Sequence, residues 1–198
     1  GTQRLPRAVG VSRALEMTTS GNPIGARDAF DLWLVDRLID GDLEQRKFID
    51  VVADVMARRM ETDDRVIILG EDVHRLKGGT NGATRGLKDG FPDRVLGTPI
   101  SENAFVGLGG GMAMDGRFRP VVEFMYPDFM WVAADQVFNQ IGKARHMFGG
   151  DIDVPLVLRT KVAMGTGYGS QHSMDPAGIF ATSAGWRIVA PSTPFDYI

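Results

Sequence analysis

Glu102 is the residue of this sequence best placed for proton chemistry. It closes the run Thr98-Pro99-Ile100-Ser101-Glu102, which follows a short apolar strand and opens a glycine-rich helix. In open α/β sheets ligands bind beyond the carboxyl ends of the strands, so this spacing sets a carboxyl group where a bound molecule can meet it. A carboxyl group there can take up or release a proton. A structural role competes with that reading, because a Glu in the first turn suits the helix macrodipole and Ser101 is of a type that caps helix N-termini. The glycines downstream argue for more than capping. Gly107, Gly109, Gly110 and Gly111 each cost a helix about 1 kcal/mol relative to alanine, a poor choice unless another element must approach closely. A phosphate-cradling loop would instead carry its glycines in the turn between strand and helix. A second candidate is His172, in Gly169-Ser170-Gln171-His172-Ser173. Histidine exchanges protons near neutrality, although a lone loop histidine is often a solvated bystander. Phe129 is either a wall for a planar ligand or an ordinary core aromatic. His74 and His146 have no comparable surroundings, and no two histidines stand at metal-ligand spacing.

The elements that must position these residues are those of an α/β domain with a mainly parallel sheet. Phe48, Ile49, Val51, Val52, Val55, Met56 and Met60 recur at helical spacing between charged residues, which predicts an amphipathic helix. The run 65–70 is continuously apolar and ends at Gly70, as a strand buried on both faces requires. Further strands are expected at 94–96, 119–124, 154–162 and 187–190. Helices are expected at 101–114, at 127–147 with Pro127 in its first turn, and at 177–184. Residues 165–172 are too rich in glycine for regular structure and read as a loop. The first 44 residues differ in character, with two short helical stretches at 11–18 and 26–39 around the turn Ser20-Gly21-Asn22-Pro23. The expected domains are therefore a helical extension, 1–44, and an α/β domain, 45–198. Pro194-Phe195-Asp196-Tyr197-Ile198 looks like the opening of one more helix, so the chain reads as truncated at its C-terminus.

Bulk composition narrows the partners. With 198 residues and 43% hydrophobic content, the chain can bury one sizeable core. A net charge of -3 with both signs interspersed shows no broad basic face for nucleic acid and no basic amphipathic stretch for an anionic membrane. The lack of cysteine excludes disulfides, thiolate catalysis and cysteine metal sites. No stretch approaches the roughly 20 apolar residues of a membrane span, and the first residues lack a secretory apolar segment. A cytoplasmic location is the expectation.

Several ordered motifs then agree. Gly70-Glu71-Asp72-Val73, Thr98-Pro99-Ile100-Ser101-Glu102, Arg119-Pro120-Val121-Val122-Glu123-Phe124-Met125, Asp135-Gln136 and Gln171-His172-Ser173 follow one another as in the beta subunits of pyruvate and branched-chain 2-oxo acid dehydrogenases. From about Phe48 onward the chain resembles the pyrimidine-binding, transketolase-like domain of these thiamine-diphosphate enzymes. The resemblance implies a three-layer thiamine-diphosphate-binding fold. It also implies that Glu102 faces the pyrimidine ring nitrogen of the cofactor, that Phe129 stacks on the aminopyrimidine, and that Ile100 and Met125 are its apolar neighbours. His172 corresponds to the histidine that helps bind substrate and pass the acyl group to a lipoyl arm. The turn Met114-Asp115-Gly116-Arg117-Phe118-Arg119-Pro120 is one residue longer than in such subunits, and the placement of Met125 and Phe129 assumes that the turn absorbs it.

The family's diphosphate and magnesium motif, Gly-Asp-Gly followed about 30 residues later by Asn, has no counterpart here; Asp89-Gly90 and Asp115-Gly116 do not complete it. The resemblance therefore implies an alpha-type diphosphate-binding partner subunit that holds most of the magnesium site, a homo- or hetero-oligomer, and a lipoyl-bearing acyltransferase beyond it. The isolated chain is expected to be weak or inactive. Transketolase-like two-carbon transfer is the alternative within the fold. At the N-terminus, Arg4-Leu5-Pro6-Arg7, Ala14-Leu15-Glu16-Met17, Ser20-Gly21, Pro23-Ile24 and Leu34-Val35-Asp36 resemble the C-terminal part of an enoyl-CoA hydratase (crotonase) domain, with Trp33 where that family has glycine. The hydratase's upstream catalytic residues are absent. An acyl-CoA hydratase fragment and a non-catalytic assembly module remain readings from other classes.

Overall fold

Alternate residues of one central strand serve two separate cores. A computed structural model of the chain describes residues 47–79 and 81–197, and the residues from Gln45 onward form one compact unit. Strand β1 (Val66–Glu71) is buried along its whole length. Because side chains alternate across a strand, Val66 and Ile68 pack with Met56, Met60, Val95 and Val121 on one face. Ile67 and Leu69 pack with Phe105, Val122, Phe124 and Val137 on the other. The first face is covered by helix α1 (Phe48–Thr62), whose Val51, Val52, Met56 and Met60 point inward as the helical spacing predicts. The second is covered by helix α3 (Glu102–Met114) and the helical segments after it. A short helix α2 (Leu87–Gly90) lies between β1 and β2 in sequence. The result is three layers, helix on sheet on helix.

The sheet is parallel throughout, in the order β2-β1-β3-β4, with β2 at Val95–Thr98, β3 at Arg119–Glu123 and β4 at Val157–Arg159. All four carboxyl ends therefore lie along one edge. Gly70 is needed in β1 because it pairs with Glu123 of β3 at φ 153, and a Cβ there would run into the Glu123 carbonyl. At the opposite edge the α1–β1 turn is tied down by Asp63, whose carboxylate accepts from Arg65 at 2.8 Å and from Arg119 at 3.1 Å. These two cations hold the Asp63 carboxyl well below the usual range, Arg65 contributing most.

Several expected elements come out differently. The strand expected at 154–162 pairs only over Val157–Arg159; Pro155 has no N–H for the ladder, and beyond Arg159 the chain leaves the sheet. Residues 187–190 form no strand. Ile188 and Val189 have the right propensity, but that propensity expresses packing within a sheet, and Val189 is 80% exposed with no described strand beside it. Ser101 occupies the N-cap position of α3 without a side-chain cap; its carbonyl accepts from the Ala104 and Phe105 amides instead.

The helix expected at 127–147 is helical but not uniform. It runs as a 3-10 segment (Pro127–Ala133), a π segment (Asp135–Ile141) and helix α4 (Gly142–Met147). At its centre the Val137 carbonyl accepts both the Gly142 amide and the Trp186 indole N–H, the latter at 3.3 Å. A Cβ on Gly142 would stand 2.8 Å from that indole nitrogen. The 3-10 turn Ser170–His172, within the stretch read as a loop, helix α5 (Ala177–Ala181), shorter than the expected 177–184, and helix α6 (Pro194–Tyr197) complete the described elements. The expected helices at 11–18 and 26–39 lie outside the described residues.

Candidate functional site

At the carboxyl edge, four strand ends bring acids, aromatics and a cation together. The glycine row of α3 sets how close its helix lies. A Cβ on Gly109 would stand 2.6 Å from Val122 Cγ2, one on Gly110 2.6 Å from Ile141 Cδ1, and one on Gly107 3.1 Å from Gln136 Oε1. The close approach inferred from these glycines is present, except at Gly111, whose Cβ would meet nothing within 4 Å.

This packing holds Glu102, the first residue of α3, at only 6% exposure. No described residue donates a hydrogen bond to its carboxyl group. Beside it stands Glu71, the last residue of β1. Burial first, then the charges of Glu102 and Asp72, hold the Glu71 carboxyl above the ordinary glutamate range. Asp72, at φ 57, pairs with Arg75. For Glu71, like charges beside a buried acid add to the cost of its charged form.

Next to these acids a narrow recess is lined by Glu71, Val73, Asn81, Glu123, Met125 and Lys161, among others. The amide nitrogen of Asn81, also on this recess, is buried without a partner. Glu123 at the end of β3 is paired with Arg159 of β4, and Arg159 Nη1 donates to the Tyr197 hydroxyl at 3.1 Å. Beyond β3, Tyr126 is buried at the centre of an aromatic cluster. His172 lies 4.6 Å from it, edge to face, and Phe129 and Tyr168 lie 6.3 Å and 5.8 Å away. Phe129 and His172 themselves meet edge to face at 5.4 Å.

Among the residues singled out from the sequence, Phe129 and His172 are therefore in direct contact. Met125 shares the recess with Glu71, which in turn neighbours Glu102. The 3-10 segment that carries Phe129 packs both on α3 and on the short 3-10 turn Ser170–His172. Ile100 is 77% exposed on the approach to α3. His74, read as structural, packs its ring over Gly97 of β2, where no Cβ would fit. Among the described residues no three His, Asp or Glu side chains are grouped to hold a metal ion.

Sequence reasoning did not single out Glu71, Tyr126 and Lys161, which the fold brings to the same edge. The rule that selected Glu102, an acid just past the carboxyl end of a strand, applies equally to Glu71. Tyr126 and Lys161 follow β3 and β4 in the same way.

Residues 44–198 match the family described as "Transketolase, pyrimidine binding domain". The chain is 40% identical over 154 residues to the beta subunit of acetoin:2,6-dichlorophenolindophenol oxidoreductase of Cupriavidus necator, covering 73% of this chain and 45% of that protein. It is 41% identical over 150 residues to the beta subunit of 2-oxoisovalerate dehydrogenase of Bacillus subtilis, covering 75% and 45%. To the chloroplastic pyruvate dehydrogenase E1 component subunit beta-3 of Arabidopsis thaliana it is 40% identical over 142 residues, covering 71% and 34%. The matched part thus spans less than half the length of each of these relatives. On the match from residue 44 to residue 198, this chain belongs to the transketolase pyrimidine-binding domain family.

Proposed function

We propose that residues 45–198 form the pyrimidine-binding half of a thiamine-diphosphate-dependent 2-oxo acid dehydrogenase, joined to a separate segment, 1–44. One observation carries the reading: Glu102, a residue only 6% exposed, opens a helix at the carboxyl edge of a parallel sheet, and that helix packs on the 3-10 segment that carries Phe129. The beta-subunit names of the relatives support it. When bound, thiamine diphosphate supplies a carbanion equivalent at its thiazolium carbon. This chain's part is to make the aminopyrimidine basic. Glu102 would hold the ring by its pyrimidine nitrogen, and its burial would strengthen that contact. Phe129, Met125 and Ile100 supply apolar surface for the ring, with Tyr126 excluding water behind Phe129. His172, fixed by edge contacts to both aromatic rings, can bind substrate and exchange a proton with it.

The diphosphate and magnesium belong, in this reading, to an alpha-type partner subunit, and the acyl group passes to a lipoyl-bearing acyltransferase. The relatives' names span a neutral hydroxyketone, acetoin, and anionic 2-oxo acids, and substrates of both kinds fit this chemistry. Calorimetric titration with thiamine diphosphate and magnesium, with and without the diphosphate-binding subunit, tests the proposal. Tight binding is expected only in the presence of that subunit. If the assembled pair binds acyl-CoA and ignores thiamine diphosphate, the proposal fails.

A further inference from the structure

Lys161 stands two residues beyond β4 and lines the recess with Glu71, Glu123 and Met125. Its Nζ lies 4.3 Å from the centroid of the Tyr126 ring, the ring that His172 and Phe129 also contact. The nearest acid is already engaged, because Glu123 Oε2 accepts from Arg159 Nε. Among the described residues Lys161 forms no ion pair and no hydrogen bond, so a half-buried ammonium group meets the recess with the Tyr126 face beside it and with Glu123, which is paired with Arg159, as the acid that acts on it. Burial pulls that ammonium group down to about 8, with Glu123 acting against the shift. A desolvated cation that shares its one interacting acid with a second cation is incompletely compensated and gains when another anion reaches it.

We propose that Lys161 is a specificity-determining residue that binds the carboxylate of an anionic 2-oxo acid and so selects it over a neutral hydroxyketone. The inference rests on the pyrimidine-binding reading and deepens it. An ammonium-carboxylate contact exists in the bound substrate and weakens as that carboxylate leaves as carbon dioxide, so it lowers KM without raising kcat. The groups facing Lys161 are Glu123 of β3, Arg159 of β4, Glu71 of β1 and the Tyr126 ring, with Tyr168 and His172 behind that ring. As pH rises through about 8 the ammonium loses its proton, and the anion should lose affinity with it.

The test uses the complete complex with its diphosphate-binding subunit, thiamine diphosphate and magnesium, as wild type, Lys161→Met and Lys161→Arg. KM and kcat are measured for pyruvate and for acetoin across pH 6.5 to 9.5, and calorimetry follows methyl acetylphosphonate, an anionic pyruvate mimic that cannot lose carbon dioxide. Lys161→Met should weaken the mimic and raise the pyruvate KM by about tenfold or more. It should leave kcat and the acetoin parameters within about threefold. Lys161→Arg should keep the anion affinity and abolish its decline above pH 8, since a guanidinium group does not titrate there. Equal losses for pyruvate and acetoin, or an unchanged affinity for the mimic in Lys161→Met, would overturn the inference. If the complex turns over neither substrate, the mimic's affinity still decides. A complex that binds no thiamine diphosphate sinks the pyrimidine-binding reading and this one with it, whereas intact cofactor binding with an indifferent Lys161→Met sinks this one alone.

Discussion

On the inner flank of α3 a Cβ added at Gly109 would stand 2.6 Å from Val122 Cγ2, whereas one added at Gly165, Gly167 or Gly169, in the loop before His172, would meet nothing within 4 Å. The loop glycines serve another purpose, since their φ values of +82, +83 and +89 are ones that L side chains rarely adopt. Glu102 is thus placed by close packing of a helix on a sheet, and His172 by the backbone turns of an open loop. The first kind of placement is lost only by disturbing the fold. The second can be lost while the fold stands.

The largest effect should come from the packed region. Gly70→Ala forces a Cβ onto the Glu123 carbonyl, a backbone atom that cannot swing aside. It should cost about 3 kcal/mol in urea unfolding, the upper range for overpacking. A loss below about 1 kcal/mol would show that β1 and β3 have slack. Glu102→Gln should lower turnover of the assembled enzyme by about two orders of magnitude, the scale of a lost acid/base group. Its unfolding midpoint should hold or rise, because a buried acid beside Glu71 is replaced by a neutral amide. Gly169→Ala probes the loop: at φ +89 an alanine drives the open loop onto another backbone path, so turnover should fall about tenfold while relaxation keeps the loss of global stability below about 1 kcal/mol, the low end of such strain. Equal damage to stability would erase the distinction between the two regions.

Gly111→Ala, in the same helix as Gly109 but facing open space, should stabilise the isolated chain by about 0.5–1 kcal/mol. Should the assembled complex be weakened by the same change, that face of α3 is covered in the complex. The smallest effect is a slope. The Glu71 carboxyl is raised in the native state by burial and by Glu102, so the folded chain holds a proton that the unfolded chain has released. Its contribution to stability is fully present below the ordinary glutamate value and is lost as pH rises through the raised one. Glu71→Gln should flatten that decline in a series of melts across mildly acid pH.

Much of this was legible from the chain alone, because it depends on local spacing. The buried face of α1, the run of β1 and the close approach at Gly109 and Gly110 each follow from residues a few positions apart. Glu102 was legible because a strand, a turn and a helix start lie within a dozen residues. Glu71 beside Glu102, and Lys161 over Tyr126, were not, since they depend on the order β2-β1-β3-β4 that brings distant strand ends to one edge. The unpaired run 187–190 misled for a related reason: its residue types suit a strand, but a strand also needs a neighbour.

The π segment at Asp135–Ile141 holds one more residue than an α-helical path would use for that stretch. Shortening the chain by one position there would restore regular winding, and each helical residue advances the azimuth by about 100 degrees. Because the wider turn has already absorbed the extra residue, its removal leaves the far side at its azimuth, with Ala144 inside and Lys143 and Arg145 outside. A single-codon deletion in this stretch should therefore be tolerated better than the same deletion inside α3, where no wider turn takes up the change of phase.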